Sequence, residues 1–316
     1  MSGSMRAWQW FLSVARRSRQ WFLSVARRSR QVSSLAMSSS AFIRPSFVAC
    51  TFRYLPKSAE PTLRDRTVAA WLASGRRGVV AGLAASNLHG ASWVDHDVPI
   101  ELVGVKCRQQ EGLIARNERI GADEITRISG LPVTHRVRTA FDLGRYQPRT
   151  RAMGCLDALM RNQVFALDEV AGLSQRYPKV RGVRQLRELL PLIDAGAQSP
   201  RESLIRLQLR DAGLPRAQAQ VPVFDGYTPI AFLDIGWPQY LVAVEYDGDH
   251  HRRDRRQYVK DLARLRMLEE RGWIVIRVIA EESPGAWIAR TTAALRSRGC
   301  HIEIDEMQRS TRPFAA

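Results

Sequence analysis

Cysteine is scarce in this sequence. The 316 residues contain four, Cys50, Cys107, Cys155 and Cys300. They stand too far apart for the close pairs of a zinc site or the framework of a disulfide scaffold. That usage fits a reducing compartment, and the expectation is a cytoplasmic protein. Long apolar runs are missing too. No stretch reaches the roughly 18 consecutive apolar residues that a membrane-crossing helix needs. There is no Gly-x-Gly-x-x-Gly or Walker-type run, which removes the usual nucleotide-cofactor signatures. Acidic residues are absent from the first 59 positions, which carry ten Arg and Lys; Glu60 is the first carboxylate.

That absence explains most of the net charge. The whole chain is +17, from 48 basic and 31 acidic residues. Without the ten basic groups of the tail, 38 face 31, so the body is only moderately basic. Such a balance is compatible with DNA as a partner without requiring it.

The tail holds a perfect tandem copy. WFLSVARRSRQ at 10–20 recurs at 21–31. Structural repeats diverge and run to about twenty residues or more, so this reads as a recent duplication or an upstream start. An acid-free, Arg- and Ser-rich segment also resembles a transit peptide in composition. The plainer reading is a poorly ordered basic tail over 1–59.

The body divides into four further parts: an α+β module at 60–148, a helical connector at 149–198, a second α+β domain at 199–300 and a C-terminal tail at 301–316. Residues 62–90 read as two helices broken by Gly75-Arg-Arg-Gly78. Strands are expected at 99–105, 112–116 and 131–135. Helices follow at about 137–145, 150–162, 167–175 and 181–194. After the small and polar stretch 195–200, Ser199 and Pro200 offer an N-cap and a first-turn proline for a helix over 201–212. Strands then fall at 221–224, 230–235 and 241–246, a helix at 254–271 ended by Gly272, the apolar strand WIVIRVI at 273–279, and a helix at 284–297. That apolar run predicts a strand buried on both faces. The order in this domain is α-β-β-β-α-β-α.

Its chemistry lies in carboxylates where strands normally exclude them. Asp234 ends one strand. Glu245 and Asp247 sit two apart on the next, so both point to one face. Glu202 comes from the preceding helix. Crowded carboxylates repel unless a cation neutralises them, and an oxygen-rich set suits Mg²⁺ or Mn²⁺. Asp234, Glu245 and Glu202 are the candidate metal ligands. Asp234, Glu245, Asp247 and His251 are the candidate catalytic set, with His251 as a proton carrier near neutral pH. Arg252, Arg253, Arg255, Arg256 and Arg264 are candidates to grip phosphates. Each has a plainer reading: Asp247-Gly248 as a turn, Glu202 as a helix-start carboxylate, and the arginines as a solvated helix face.

Glu245-Tyr-Asp247-Gly-Asp-His-His251, then Asp261-Leu-Ala-Arg264, then Gly272-Trp-Ile-Val-Ile-Arg277, resemble a domain of unknown function related to very-short-patch mismatch-repair endonucleases, within the PD-(D/E)XK superfamily. The resemblance spans about 100 residues and implies a restriction-endonuclease-like α/β core and a Mg²⁺-dependent DNA endonuclease. Asp247 stands where that superfamily carries its E-x-K lysine. VVAGLAASNLHG and GLPVTHRVRTAFDLG, within 79–145, resemble the AbiEi-type antitoxin module, a pairing found in actinobacterial proteins. Two functions stay open at this level: a metal-dependent endonuclease, and a non-catalytic DNA-binding antitoxin or transcriptional regulator on a nuclease fold.

Overall fold

The computed structural model describes residues 60–106, 111–247 and 260–302 in full, and residues 42–43, 55–56 and 255–259 by their backbone alone. The expected disordered tail therefore falls almost wholly outside the described residues. Within it, β1 (Phe42–Ile43) pairs antiparallel with β2 (Leu55–Pro56).

The chain is α+β, built on two mixed sheets. The first half begins with α1 (Leu63–Ala73). Thr62 caps it by accepting from the Asp65 amide, and the Asp65 carboxylate accepts in return from the Thr62 amide. This reciprocal pairing satisfies amides that a helix start leaves open. The strand β3 (Val79–Ala81) runs directly into α2 (Gly82–Leu88). Then come β4 (Ile100–Val103), β5 (Leu113–Arg116), β6 (Ile125–Ile128) and β7 (Leu131–Thr134). The helices α3 (Arg136–Tyr146), α4 (Arg149–Asn162), α5 (Leu167–Arg176) and α6 (Val183–Leu189) follow. The sheet order is β5-β4-β3-β7-β6, with β3 at its centre. Val80, Leu102 and Val133 on the central strands pack with Phe141, Leu156 and Leu159 of the helices in one core.

That core also encloses ions. Arg138 donates to Asp142 at 3.0 and 3.1 Å and to Glu124, whose other oxygen accepts from Tyr177 Oη at 2.6 Å. Arg145 donates to Asp142 at 2.7 Å and to Glu118 at 2.9 Å. Burial pushes the Asp142 carboxyl up, against the pull of Arg138 and Arg145.

The second half opens with α7 (Pro200–Asp211), where the Ser199 hydroxyl accepts from the Glu202 amide at 3.1 Å. The strands β8 (Gln218–Asp225) and β9 (Thr228–Trp237) form a long hairpin, and β10 (Val242–Asp247) pairs antiparallel with β9. The helix α8 (Arg255–Glu270) crosses to β11 (Ile274–Ile279), which lies parallel to β10, and α9 (Pro284–Ser297) closes the domain. A parallel pair needs a crossover of this kind. Gly272 follows α8 at φ +83°, a left-handed turn that suits glycine. The helices α7 and α9 cover one face through Ile205, Leu209 and Trp287 against Val242, Val244 and Ile276. Leu268 of α8 covers the other, against Leu233, Ala243 and Trp273.

Two expectations change. β11 is an edge strand: only Ile276 and Val278 are buried, and its alternate residues are half-buried. A continuous apolar run signals burial but does not by itself place a strand centrally. The segment after Gly78 is not all helix, since Val79–Ala81 is the middle strand of the first sheet. Among the described residues no helix is long and apolar enough to cross a membrane.

Candidate functional site

An open pocket lies beneath α8, at the C-terminal end of β10 and beside Asp234, which stands inside β9 rather than at a strand end. Asp234, Glu245, Asp247, Asp261, Arg264 and Arg277 line it. The sequence places them there for separable reasons. Val244 stands opposite Ile235 in the antiparallel ladder, so the next residues, Glu245 and Asp234, emerge side by side where pairing stops. The Asp234 carboxylate then accepts from the Tyr246 amide at 3.1 Å, taking over a bond the ladder has given up. Across the parallel ladder, Glu245 stands opposite Arg277.

Each of the two β10 carboxylates is held by an arginine. Arg264 of α8 donates from Nη1 and Nη2 to the two oxygens of Glu245, at 2.9 and 2.6 Å. It also donates to the Phe232 carbonyl at 2.8 Å, tying α8 to the hairpin. Arg277 donates to Asp247. These are charge-assisted bonds, and the first is bidentate.

Among the described residues, Asp234 has no arginine of its own. Burial pushes its carboxyl up to about 6, and the charges of Glu202 and Glu245 push the same way; the Tyr246 amide and Arg264 oppose them. Glu202 reaches this neighbourhood from the first turn of α7. Its carboxylate accepts from the Gln198 amide at 2.8 Å and the Ser199 hydroxyl at 2.9 Å, so it also serves the helix start.

The structure thus brings Asp234, Glu245, Asp247 and Arg264 into one pocket, with Glu202 electrostatically beside it. His251, Arg252 and Arg253 lie outside the described residues. Arg255 and Arg256 open α8, with their side chains outside the described ones. Arg277, legible in the sequence as the end of the Gly272–Arg277 motif, was not among the candidate site residues. Its signal was available as the single cation inside the apolar run WIVIRVI.

A divalent cation is implied by the superfamily resemblance. Among the described residues, no three Asp, Glu, His or Cys side chains form a group able to hold a metal ion. With Glu245 and Asp247 engaged by guanidinium groups, the described donors do not fit one.

The family match falls in the first half. Residues 64–192 match the AbiEi antitoxin C-terminal domain, so the chain is a protein carrying that domain. The match runs on beyond the 79–145 stretch and through helices α4 to α6. Two proteins of Mycobacterium tuberculosis, the uncharacterized protein MT2308 of strain CDC 1551 / Oshkosh and the uncharacterized protein Rv2248 of strain ATCC 25618 / H37Rv, are each 30% identical to it over 236 residues. The alignment covers 73% of this chain and 86% of each relative, and the chain belongs to the family of these mycobacterial proteins. No solved structure matches it.

Proposed function

We propose that this protein is a DNA-binding regulator of the antitoxin type, whose C-terminal half uses a nuclease-like α-β-β-β-α-β core as a non-catalytic scaffold. The observation that carries this reading is the closure of Glu245 by Arg264 and of Asp247 by Arg277. Carboxylates paired with guanidinium groups have their charge met without a metal. The AbiEi domain at 64–192 supports the antitoxin context. The mixed sheet and the β10–α8–β11 crossover support the PD-(D/E)XK-like core.

The test pairs two assays on the full chain. A labelled promoter-like duplex is titrated with the protein at several salt concentrations, and supercoiled plasmid is incubated with it in Mg²⁺ or Mn²⁺. The expected result is a gel shift that weakens steeply as salt rises, since phosphate contacts release counterions, with intact plasmid. Nicking that disappears in an Asp234→Ala/Glu245→Ala variant would overturn the scaffold reading.

One observation favours the second reading, a metal-dependent endonuclease cutting DNA. Asp234 is crowded by Glu202 and Glu245 with no cation of its own among the described residues, and its carboxyl is carried to about 6. Perturbed carboxyls of this kind concentrate at functional sites. The plasmid assay decides between the two.

A further inference from the structure

A cleft at the seam of the two halves gathers arginines without acids. Met153 of α4 and Leu207 and Leu209 of α7 form its apolar part. Arg206 and Arg210 stand one turn apart on α7, and Arg216 follows on the segment leading into β8. Residues four apart on a helix share a face, so the first two line the cleft together. Among the described residues, no carboxylate lines it.

The nearby acids are committed elsewhere. Asp157 of α4 is fully buried and accepts from Arg206 Nη1 and from the Asp194 amide, each at 2.8 Å. Arg206 Nη2 donates to the Leu192 carbonyl, which fixes that guanidinium group in place. Asp211, at the end of α7, accepts from both terminal nitrogens of Arg149. Arg210 and Arg216 are exposed, and among the described residues their guanidinium groups have no hydrogen bond or ion pair. In the C-terminal pocket, by contrast, Arg264 and Arg277 are bound to Glu245 and Asp247. Charge of one sign against apolar walls focuses the field and concentrates ions of the other sign.

We propose that this seam cleft grips the phosphate backbone of DNA, with Arg210 and Arg216 as the contacting residues and Arg206 as their fixed neighbour. This rests on the DNA-binding regulator reading and deepens it by locating the contact. Phosphates need donors that are free, and guanidinium forks match phosphate oxygens. Such contacts hold a duplex in position without reading its sequence. The C-terminal pocket, whose arginines already hold carboxylates, is the poorer place for them.

The test uses the full chain and two labelled duplexes of equal length, one promoter-like and one of unrelated sequence. Affinities are measured over a range of salt from roughly 0.05 to 0.3 M. Arg210→Gln/Arg216→Gln keeps the side-chain stems and removes both charges. Each phosphate contact adds about 0.9 to the slope of log affinity against log salt. The double variant is therefore expected to bind both duplexes more weakly and to the same degree, with a slope shallower by about 2. Lys179→Gln/Arg296→Gln removes two exposed charges that do not line the cleft, and is expected to keep the wild-type slope. An unchanged slope in Arg210→Gln/Arg216→Gln overturns the proposal and leaves the cleft to an acidic protein surface. An equal fall in the Lys179→Gln/Arg296→Gln control also overturns it, since charge anywhere on the body would then serve. If the double variant fails to fold, each single variant is measured, with an expected fall of about 1 in slope; no fall in either overturns the proposal. Wild-type protein that binds neither duplex sinks the regulator reading itself, and the cleft assignment with it, whereas wild-type binding with an unchanged variant sinks the cleft assignment alone.

Discussion

Both halves of this chain set arginines against carboxylates, and the surroundings give the two arrangements different roles. In the antitoxin-type half, the Arg138, Asp142 and Glu124 side chains are 1%, 2% and 3% exposed. In the C-terminal half, the Arg264 and Arg277 side chains are 33% and 41% exposed over an open pocket. Buried charges have lost their water and depend on each other, so the first cluster acts as a scaffold. Half-exposed guanidinium groups keep access to solvent and to ligands, so the second cluster can exchange partners. The same pair chemistry yields structure where it is dry and a candidate site where it is wet.

The strongest way to break that comparison is Arg138→Ala. It would leave Asp142 and Glu124 buried without their main cation. The expected loss is about 3–5 kcal/mol, the usual result of removing one partner from a buried ionic set. Urea denaturation of the full chain measures it. A loss under about 1 kcal/mol would place the cluster among surface pairs and remove the contrast.

A smaller effect, and one with a pH signature, is expected at Asp234. Its carboxyl is carried from 3.8 up to about 6 in the folded protein. The folded state therefore binds a proton that the unfolded state has released, and stability falls as pH rises from about 4 to about 6. Each step of one in pKa corresponds to about 1.4 kcal/mol, and partial exposure reduces the total to about 1–2 kcal/mol. Asp234→Asn keeps an oxygen for the Tyr246 amide and drops the charge. It is expected to be the more stable protein at pH 7, with the advantage gone below about pH 4. Asp157, also pushed up to about 6 by burial, adds a slope of the same sign to both proteins, so it cancels in the difference. Denaturation curves at pH 4, 5.5 and 7 test this, and a less stable Asn variant at pH 7 would show that the Asp234 charge is not a strain on the fold.

The sequence made the second half more legible than the first. Ser199 and Pro200 start α7 where capping chemistry predicts, and α9 runs from Pro284 to Ser297 as read. The alternation around Asp234 and Glu245 located both strands, because carboxylates in apolar strands are conspicuous. The first half hid β3 and β6. Val79–Ala81 is three residues long and flows into a helix, too short for either period to register. Ile125–Ile128 mixes Thr and Arg with two Ile and stands at a sheet edge. Nothing in the helical spacing of Arg138, Asp142 and Arg145 announces their burial. Only the fold shows that Glu124 and Glu118, from elsewhere in the chain, complete them. The pairing of Glu245 with Arg264 and of Asp247 with Arg277 was hidden for the same reason: a pattern search for lysine two residues on cannot see arginines delivered by α8 and β11.

Arg264→Ala gives the smallest expected effect and sharpens the comparison most. It removes a bidentate bond to Glu245 and the bond to the Phe232 carbonyl. At one-third exposure, water can replace both, so the expected loss is about 0–1 kcal/mol. The loss should shrink further as salt is raised from 0.05 to about 0.5 M, because screening acts on exposed pairs and little on buried ones. Arg138→Ala, measured beside it, should hold its cost across the same salt range. If Arg264→Ala instead cost as much as Arg138→Ala and ignored salt, the C-terminal pairs would be scaffold as well. Closure of Glu245 would then be a permanent part of the fold.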